Sequence, residues 1–380
     1  MPSSRPIVFY ISGHGFGHAS RDVEIIRALR GLAPDRPITV CTQAPRQLFE
    51  RVPEQAVEIR VVECDTGLIQ IDSLRADEGA SVRRAAEFYG RFDVAVSREA
   101  EFLRERRAAL VLGDIPPLAY AAAASAGIDS VAIGNFTWDW IYEGFPEHVS
   151  AHPQLLPTIR GAYALASLAL RLPLHGGFAG LDHAVRDIPF IARQSGRART
   201  DVRRALGLPE GPLLLLSFGG YGLRGLNVRT PALLRGYTLV ITDDASGREL
   251  WRDRASDGPS SFPVVQIAQT QLERLGYRYE DLVRAVDIVV TKPGYGIVSE
   301  CVANDTAILY TSRGRFPEYD VLVTGMQRYV RSQFIPQEAL LAGEWEPYLT
   351  RLLAAPAPQE HPRTDGAQVT AEIVLKLVKP

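Results

Sequence analysis

Two stretches of this 380-residue chain, roughly 200 residues apart, read alike: a short apolar run, a glycine-rich turn, then a helical pattern. The first is Ile7-Val-Phe-Tyr-Ile-Ser12 running into Gly13-His-Gly-Phe-Gly17, and the second is Leu213-Leu-Leu-Leu-Ser-Phe218 running into Gly219-Gly-Tyr-Gly222. A brief apolar run closed by glycines reads as a buried parallel strand. After the first turn, Val23, Ile26, Ala28 and Leu29 place a helix over Ser20–Arg30, and Pro37–Thr42 reads as the next strand, which completes a βαβ unit. A chain that starts this unit twice has few economical folds other than two α/β halves.

The rest of the pattern agrees. Val57–Cys64, Ala109–Leu112 and Ser130–Ile133 are expected strands, with helices over Ser81–Arg107 and Pro117–Ala126. In the second half a helix is expected from Thr200-Asp201, and strands at Tyr237–Thr242, Val264–Ile267, Asp287–Thr291 and Ala307–Tyr310. The reading is two Rossmann-like domains facing a central cleft, residues 1–192 and 193–364. Residues 365–380 form a tail whose amphipathic Gln368–Lys379 is expected to be helical and to pack back across the hinge. Ala162–Leu172 is apolar almost all round. It is expected as a buried helix, with docking on a membrane or a lipid acceptor as the functional alternative.

Composition removes several classes. With 46% hydrophobic and 23% charged residues, neither disorder nor a fibre fits. Lys+Arg 42 against Asp+Glu 44 gives net charge −2, unlike a strongly basic nucleic-acid binder. Cys41, Cys64 and Cys301 stand far apart, so neither a disulfide framework nor a cysteine zinc site is expected. The first ten residues lack a signal peptide's basic region, and no apolar run reaches about 18 residues, so the expected location is cytoplasmic. The basic residues are nearly all Arg. Lysine occurs only at 292, 376 and 379, which singles out Lys292.

Three loops carry the candidate chemistry. In Gly13-His-Gly-Phe-Gly-His18 the glycines let a ligand approach the backbone, and the helix that follows aims free N–H groups at it. A histidine held there suits a general base. A His14–His18 metal pair and simple loop hydrogen bonding are the rival readings. Gly220-Tyr-Gly-Leu-Arg-Gly225 follows a strand and has Asp243-Asp244 at the next strand end. A dinucleotide site, a cradle for one nucleotide diphosphate and an ordinary tight turn all remain open for it. Lys292-Pro-Gly-Tyr-Gly-Ile-Val-Ser-Glu300 follows a strand and opens a helix. Its turn makes an anion site, Lys292 can offset charge on a departing phosphate, and Glu300 can accept bonds from ribose hydroxyls.

At these residues the sequence resembles glycosyltransferases of the GT-B fold. The Lys292–Glu300 run is similar to the nucleotide-sugar signature of monogalactosyldiacylglycerol synthases and of the peptidoglycan N-acetylglucosaminyltransferase. Gly13-His-Gly-Phe-Gly-His-Ala-Ser-Arg21, Gly113-Asp-Ile-Pro-Pro117, Asn135-Phe-Thr-Trp-Asp-Trp-Ile-Tyr142 and Asp187-Ile-Pro-Phe-Ile-Ala-Arg193 most resemble the glycosyltransferase-like N-terminal half of plant L-arabinokinases. The resemblance implies His18 as general base. It places Gly219, Gly220, Tyr221 and Gly222 at the donor diphosphate, with Lys292, Gly294, Tyr295, Gly296, Ser299 and Glu300 around the nucleotide. Gly276 and Tyr277 would lie by the base, and Glu318 in Phe316-Pro-Glu318 near the donor sugar. The kinase half of arabinokinases is absent, so sugar kinase activity is not expected.

The acceptor is expected on the first half, against His14, Gly15, Phe16, Gly17, Trp138 and Asp139. There two tryptophans flank a carboxylate, as sugar pockets often require. Asp114, at a strand end, is a second base or the orienter of His18. Arg313 and Arg315 are candidate phosphate contacts. No Asp-x-Asp triplet occurs, so helix termini and cations, rather than a metal, are expected to hold the leaving group. The expectation is an inverting transferase with a nucleotide diphosphate sugar, UDP by analogy, as co-substrate and no other cofactor. The alternatives are a sugar-nucleotide epimerase, a non-catalytic binding module and an NAD-dependent oxidoreductase.

Overall fold

A computed structural model describes residues 5–49, 52, 57–219, 236–242 and 263–378. The strands, in chain order, are β1 (Ile7–Ile11), β2 (Ile38–Thr42), β3 (Val57–Val61), β4 (Ile69–Gln70), β5 (Ala76–Asp77), β6 (Leu110–Asp114), β7 (Ser130–Gly134), β8 (Leu168–Arg171) and β9 (Val185–Asp187) in the first half. The second half holds β10 (Leu213–Ser217), β11 (Thr238–Thr242), β12 (Val264–Ile267), β13 (Ile288–Thr291), β14 (Ala307–Tyr310) and β15 (Ser332–Phe334).

They form two parallel sheets, ordered β3-β2-β1-β6-β7-β8-β9 and β12-β11-β10-β13-β14-β15, plus the small antiparallel β4–β5 hairpin. Every residue of β1, β2, β6, β7, β13 and β14 is buried, as strands covered by helices on both faces must be. Each sheet therefore separates two apolar clusters.

The strand orders fix where ligands can enter. In the first sheet β2 lies to one side of β1 and β6 to the other, so the crevice of this open sheet opens beyond the carboxyl ends of β1 and β6. In the second sheet the same reversal falls between β10 and β13. The Gly13–Gly17 loop follows β1, Asp114 ends β6, the Gly219 turn follows β10 and Lys292 follows β13. The glycine-rich loops thus occupy both switch points.

Four expectations about elements change. Ala162–Leu172 is not one helix. A helix over Leu155–Tyr163 ends inside it, and Leu168–Arg171 becomes β8, paired to β7 and β9. Ala169, Leu170 and Leu172 are buried in the first half's core. The expected Ser81–Arg107 helix is two, Glu78–Tyr89 and Phe92–Glu105. The chain turns at Gly90, where a Cβ would come within 3.0 Å of the Ala86 carbonyl oxygen. The first helix starts at Gly17, not Ser20, which draws His18 into its first turn. The helix expected from Thr200-Asp201 starts at Arg199 with Ala198 at its N-cap.

The C-terminal helix, Gly366–Leu377, lies on the first half rather than the second. Ala371, Ile373 and Val374 share an apolar cluster with Ile7, Phe9 and Ile26. An antiparallel bridge joins Ile191 to Asp365, and the Gly366 N–H donates to the Phe190 carbonyl (2.9 Å). A side chain at Gly366 would strike the Pro189 carbonyl at 2.3 Å, so this return of the chain requires glycine.

Candidate active site

The first helix begins without a side-chain cap: Phe16 is its N-cap residue, and Gly15 is in the left-handed region (φ +67°). Its first-turn N–H groups thus have no partner within the helix and none from a capping side chain. His18 sits in that turn, buried, with Nδ1 2.9 Å from Asp114 Oδ1. One turn on, Arg21 donates from Nε and Nη2 to the two oxygens of Asp114 and approaches His18 Nδ1 (3.0 Å). A carboxylate only accepts, so the His18–Asp114 contact is a hydrogen bond when Nδ1 carries the proton, and that tautomer leaves Nε2 with a free lone pair. Burial acts to raise the Asp114 carboxyl, but Arg21 and His18 outweigh it and hold it well below the usual carboxylate range. Asp114 is therefore a fixed negative charge held against His18.

Behind the loop lies Asp65, which accepts from Ser12 Oγ (3.1 Å) and Trp138 Nε1 (2.8 Å). Burial pushes its carboxyl up to about 6. His14 accepts the Leu68 N–H at Nδ1 (3.2 Å) and stands edge-on to Trp138. Burial, reinforced by His18, Arg313 and Lys292, drives its imidazole down to about 3, so His14 stays neutral and is no titrating base. Gly15, Phe16 and Gly17 are exposed at the loop, Phe16 to 46%.

The expected tryptophan–carboxylate acceptor pocket is not formed. Trp138 is completely buried, stacked on Tyr142 and bonded to Asp65, and presents no open face to a sugar. Asp139, also buried, is closed by Arg160 (2.9 Å). Trp140 packs over Gly176 and Gly177. These residues wall the site from behind.

Across the cleft, Gly294 is the N-cap of a helix over Tyr295–Asn304 that again lacks a side-chain cap. A Cβ on Gly296 would lie 3.7 Å from Gly17 Cα, so the two uncapped helix starts face each other. Lys292, half-buried, is driven down to about 7 by burial and by Arg313. Arg313 donates to the Pro293 carbonyl (3.0 Å) and lies over Phe316 (3.9 Å). Glu318 accepts from Asn135 of the first half (2.7 Å) and from Arg313 (3.4 Å).

Other expected donor contacts are engaged elsewhere. Tyr295 is buried in the first half's core, stacked on Phe190 and lying under Arg21 (5.4 Å). The Ser299 hydroxyl donates to the Gly296 carbonyl within its own helix (2.9 Å). Glu300 pairs with Arg193 from the segment between the two sheets (2.6 Å). Gly276 makes a left-handed turn (φ +69°), and Arg197 donates to its carbonyl (3.0 Å) and covers Tyr277 (4.3 Å). Gly219 is also left-handed (φ +72°). Gly220, Tyr221 and Gly222, with Gly225 and Asp243-Asp244, lie outside the described residues.

Arg315 is far from phosphate duty: it binds Glu147 and approaches Glu78 (3.5 Å). Those carboxylates and His148 are the one group of potential metal ligands among the described residues, and Arg315 already occupies it. No helix among the described residues is long and apolar enough to cross a membrane.

Arg21, Asp65, Asn135 and Arg193 were not singled out from the sequence as site residues. Their signal was positional: Asp65 and Asn135 follow the carboxyl ends of β3 and β7, and Arg21 follows His18 by three residues on one helix.

No model of a known protein family matches the chain. It is 30% identical over 382 residues to an L-arabinokinase of Arabidopsis thaliana, covering 98% of this chain and 34% of that one. The chain thus spans about a third of that relative's length. A UDP-N-acetylglucosamine–N-acetylmuramyl-(pentapeptide) pyrophosphoryl-undecaprenol N-acetylglucosamine transferase of Thermus thermophilus is 25% identical over 245 residues, 61% of this chain and 68% of that one. Among solved structures, a glycosyltransferase of kitacinnamycin superposes over 100% of both chains, with TM-score 0.62 and 16% identity. The chain has the GT-B glycosyltransferase fold. In GT-B terms, the His18 loop belongs to the N-terminal half and the Lys292 loop to the C-terminal half, facing each other across the cleft between the two sheets.

Proposed function

We propose that this chain transfers a glycosyl group from a nucleotide diphosphate sugar to an acceptor hydroxyl in the cleft between its halves. The observation that carries the reading is the pairing of His18 on Asp114, opposite the uncapped Gly294 helix start with Lys292 beside it. On this reading residues 1–192 hold the acceptor, residues 193–364 hold the donor, and residues 365–380 tie the two together.

The acceptor hydroxyl approaches His18 Nε2, which takes its proton as the oxygen attacks the anomeric carbon. The anomeric carbon–phosphate oxygen bond breaks, and the diphosphate leaves with the electron pair. Lys292, Arg313 and the N–H groups at Gly294–Gly296 offset the growing charge. The imidazolium, paired to Asp114, returns its proton to water after product leaves. A single displacement inverts the anomeric centre, and neither a metal nor a cofactor has a step in it. UDP is the proposed carrier, supported by the nucleotide named for the Thermus transferase.

A thermal-shift panel of UDP, GDP, dTDP, ADP, UDP-sugars and NAD tests this. A nucleotide at about 100 times its Kd adds about 2.7 kcal/mol to the native state, a shift of several degrees. Stabilisation by one nucleoside diphosphate, followed by acceptor-dependent loss of its sugar, is the expected result. Stabilisation by NAD alone refutes the reading, and donor turnover without acceptor would indicate an epimerase.

A further inference from the structure

Arg21 is where the two halves meet. It is buried, and beyond its bonds to Asp114 it donates from Nη1 to Asn135 Oδ1 (2.9 Å). Asn135 Nδ2 in turn donates to Glu318 Oε1 (2.7 Å), on the first turn of the Pro317–Met326 helix of the other half. Arg313 holds the second oxygen of Glu318 (3.4 Å), and the Tyr295 ring, also from the second half, lies against Arg21 (5.4 Å). A continuous path of side chains therefore runs Arg313–Glu318–Asn135–Arg21–Asp114–His18, with Asn135, Arg21, Asp114, His18 and Glu318 all buried.

The polarity of this path admits one arrangement. A guanidinium only donates and a carboxylate only accepts, so the Asn135 amide must turn its oxygen to Arg21 and its nitrogen to Glu318. Rotating it by half a turn would break both bonds at once. Asn135 is thus held in register by both halves together. With Glu318 withdrawn, the Arg21 guanidinium alone holds the amide, which loses the second of its two anchors. Arg21 Nη2 already lies 3.0 Å from His18 Nδ1, in competition with Asp114 for that nitrogen. A small rotation of Arg21 therefore changes which partner His18 Nδ1 has.

We propose that Asn135 and Glu318 are positioning residues for His18, so that closure of the donor half sets the Arg21 grip on Asp114 and thereby the tautomer and orientation of the His18 ring. This rests on the reading of His18 as the base. It adds that the base is fully aligned only when the two halves are together, which couples donor-side closure to acceptor activation.

The test needs no substrate. Side-chain ¹⁵N resonances of His18 are recorded at one pH in the full chain, assigned by their loss in His18→Gln. Variants are Glu318→Ala, which removes the acceptor, Asn135→Ala and the two combined. Glu318→Ala, in the opposite half, is expected to move the His18 Nδ1 and Nε2 resonances away from the wild-type pattern. In the Asn135→Ala background, Glu318→Ala is expected to move them no further. Should Asn135→Ala not fold, Asn135→Leu, of similar size and without a polar group, takes its place in the same comparison. His18 resonances that coincide with wild type in Glu318→Ala, or an equal displacement by Glu318→Ala without Asn135, overturn the proposal. Failure of the transferase reading shows separately, as absence of acceptor-dependent sugar transfer in wild type.

Discussion

Asp22 offers a sharp test of the electrostatics beside the candidate base. It lies one turn beyond His18 on the first helix, is 1% exposed, and sits beside the Asp114 carboxylate. Burial and the neighbouring Asp114 charge raise its pKa well above the ordinary value, against the opposing pull of Arg21. Asp114 keeps its charge, because Arg21 and His18 hold it, so the proton resides on Asp22. The sign follows from proton counting. Above about pH 4 the unfolded chain has lost this proton while the native chain retains it, so raising the pH favours unfolding. Between the unfolded and native pKa values, each pH unit removes about 1 kcal/mol of stability. Asp22→Asn keeps the shape and cannot ionise, so it escapes the loss. Its Tm should gain on wild type by about 2–4 °C per pH unit from about pH 4 upward. Asp65, raised to about 6, imposes a loss of the same sign on both proteins and cancels in the difference. Paired calorimetric scans from pH 4 to 8 read the gap. Parallel curves, or a gap that narrows as pH rises, would refute a neutral Asp22.

Three further outcomes follow from the site. His18→Ala should cut sugar transfer by about 10²–10⁴ while leaving the thermal shift with the active nucleoside diphosphate intact; near-normal turnover would remove the base role. Lys292 is depressed to about 7, so its ammonium is lost above that pH in the unliganded protein. Calorimetric titration should therefore show nucleoside diphosphate affinity falling from pH 7 to 9, by up to about tenfold per unit, and a weaker, flatter profile in Lys292→Met. Glu300→Ala strips half-buried Arg193 of its carboxylate, at a cost of about 2 kcal/mol. Its Tm should fall by several degrees, and Arg193→Ala added to it should recover part of the loss.

Much of the fold was legible because parallel, doubly covered strands are written as uninterrupted apolar runs. Leu213–Ser217, Ile288–Thr291 and Ala307–Tyr310 could be little else once glycine turns and helical patterns stood between them. Ala162–Leu172 shows where that signal fails. A short, fully apolar run has neither a period of two nor of 3.6, and only the vacant place beside β7 makes Leu168–Arg171 a strand. The β4–β5 hairpin was missed for a different reason. Its strands are two residues each, and part of its support comes from the other half, where Ser73 Oγ donates to the Phe218 carbonyl (3.0 Å). No local pattern encodes a contact made across 145 residues.

The site divides along the same line. His18, Lys292 and the glycine loops stood out because their residue types are unusual in strand–turn–helix context, and each does lie at a switch point. Trp138 and Asp139 misled because neighbours in sequence need not share surroundings: at the start of one short helix the indole reaches Asp65 while the carboxylate reaches Arg160. Sequence adjacency suggested a pocket, whereas a helix turn of about 100° per residue points the two side chains apart. Arg21 and Asn135 escaped as site residues, and Glu318 was read as a donor-sugar contact rather than as a partner of Asn135, since positions 21, 114, 135 and 318 share a site only through the strand order of the first sheet and the packing of the second half upon it. The candidate chemical groups were recognisable singly, and the residues bonded to them only as a set. If alignment of His18 depends on a bond between halves, substitutions far from the reacting atoms at Asn135 or Glu318 should act on His18 itself and not merely on stability.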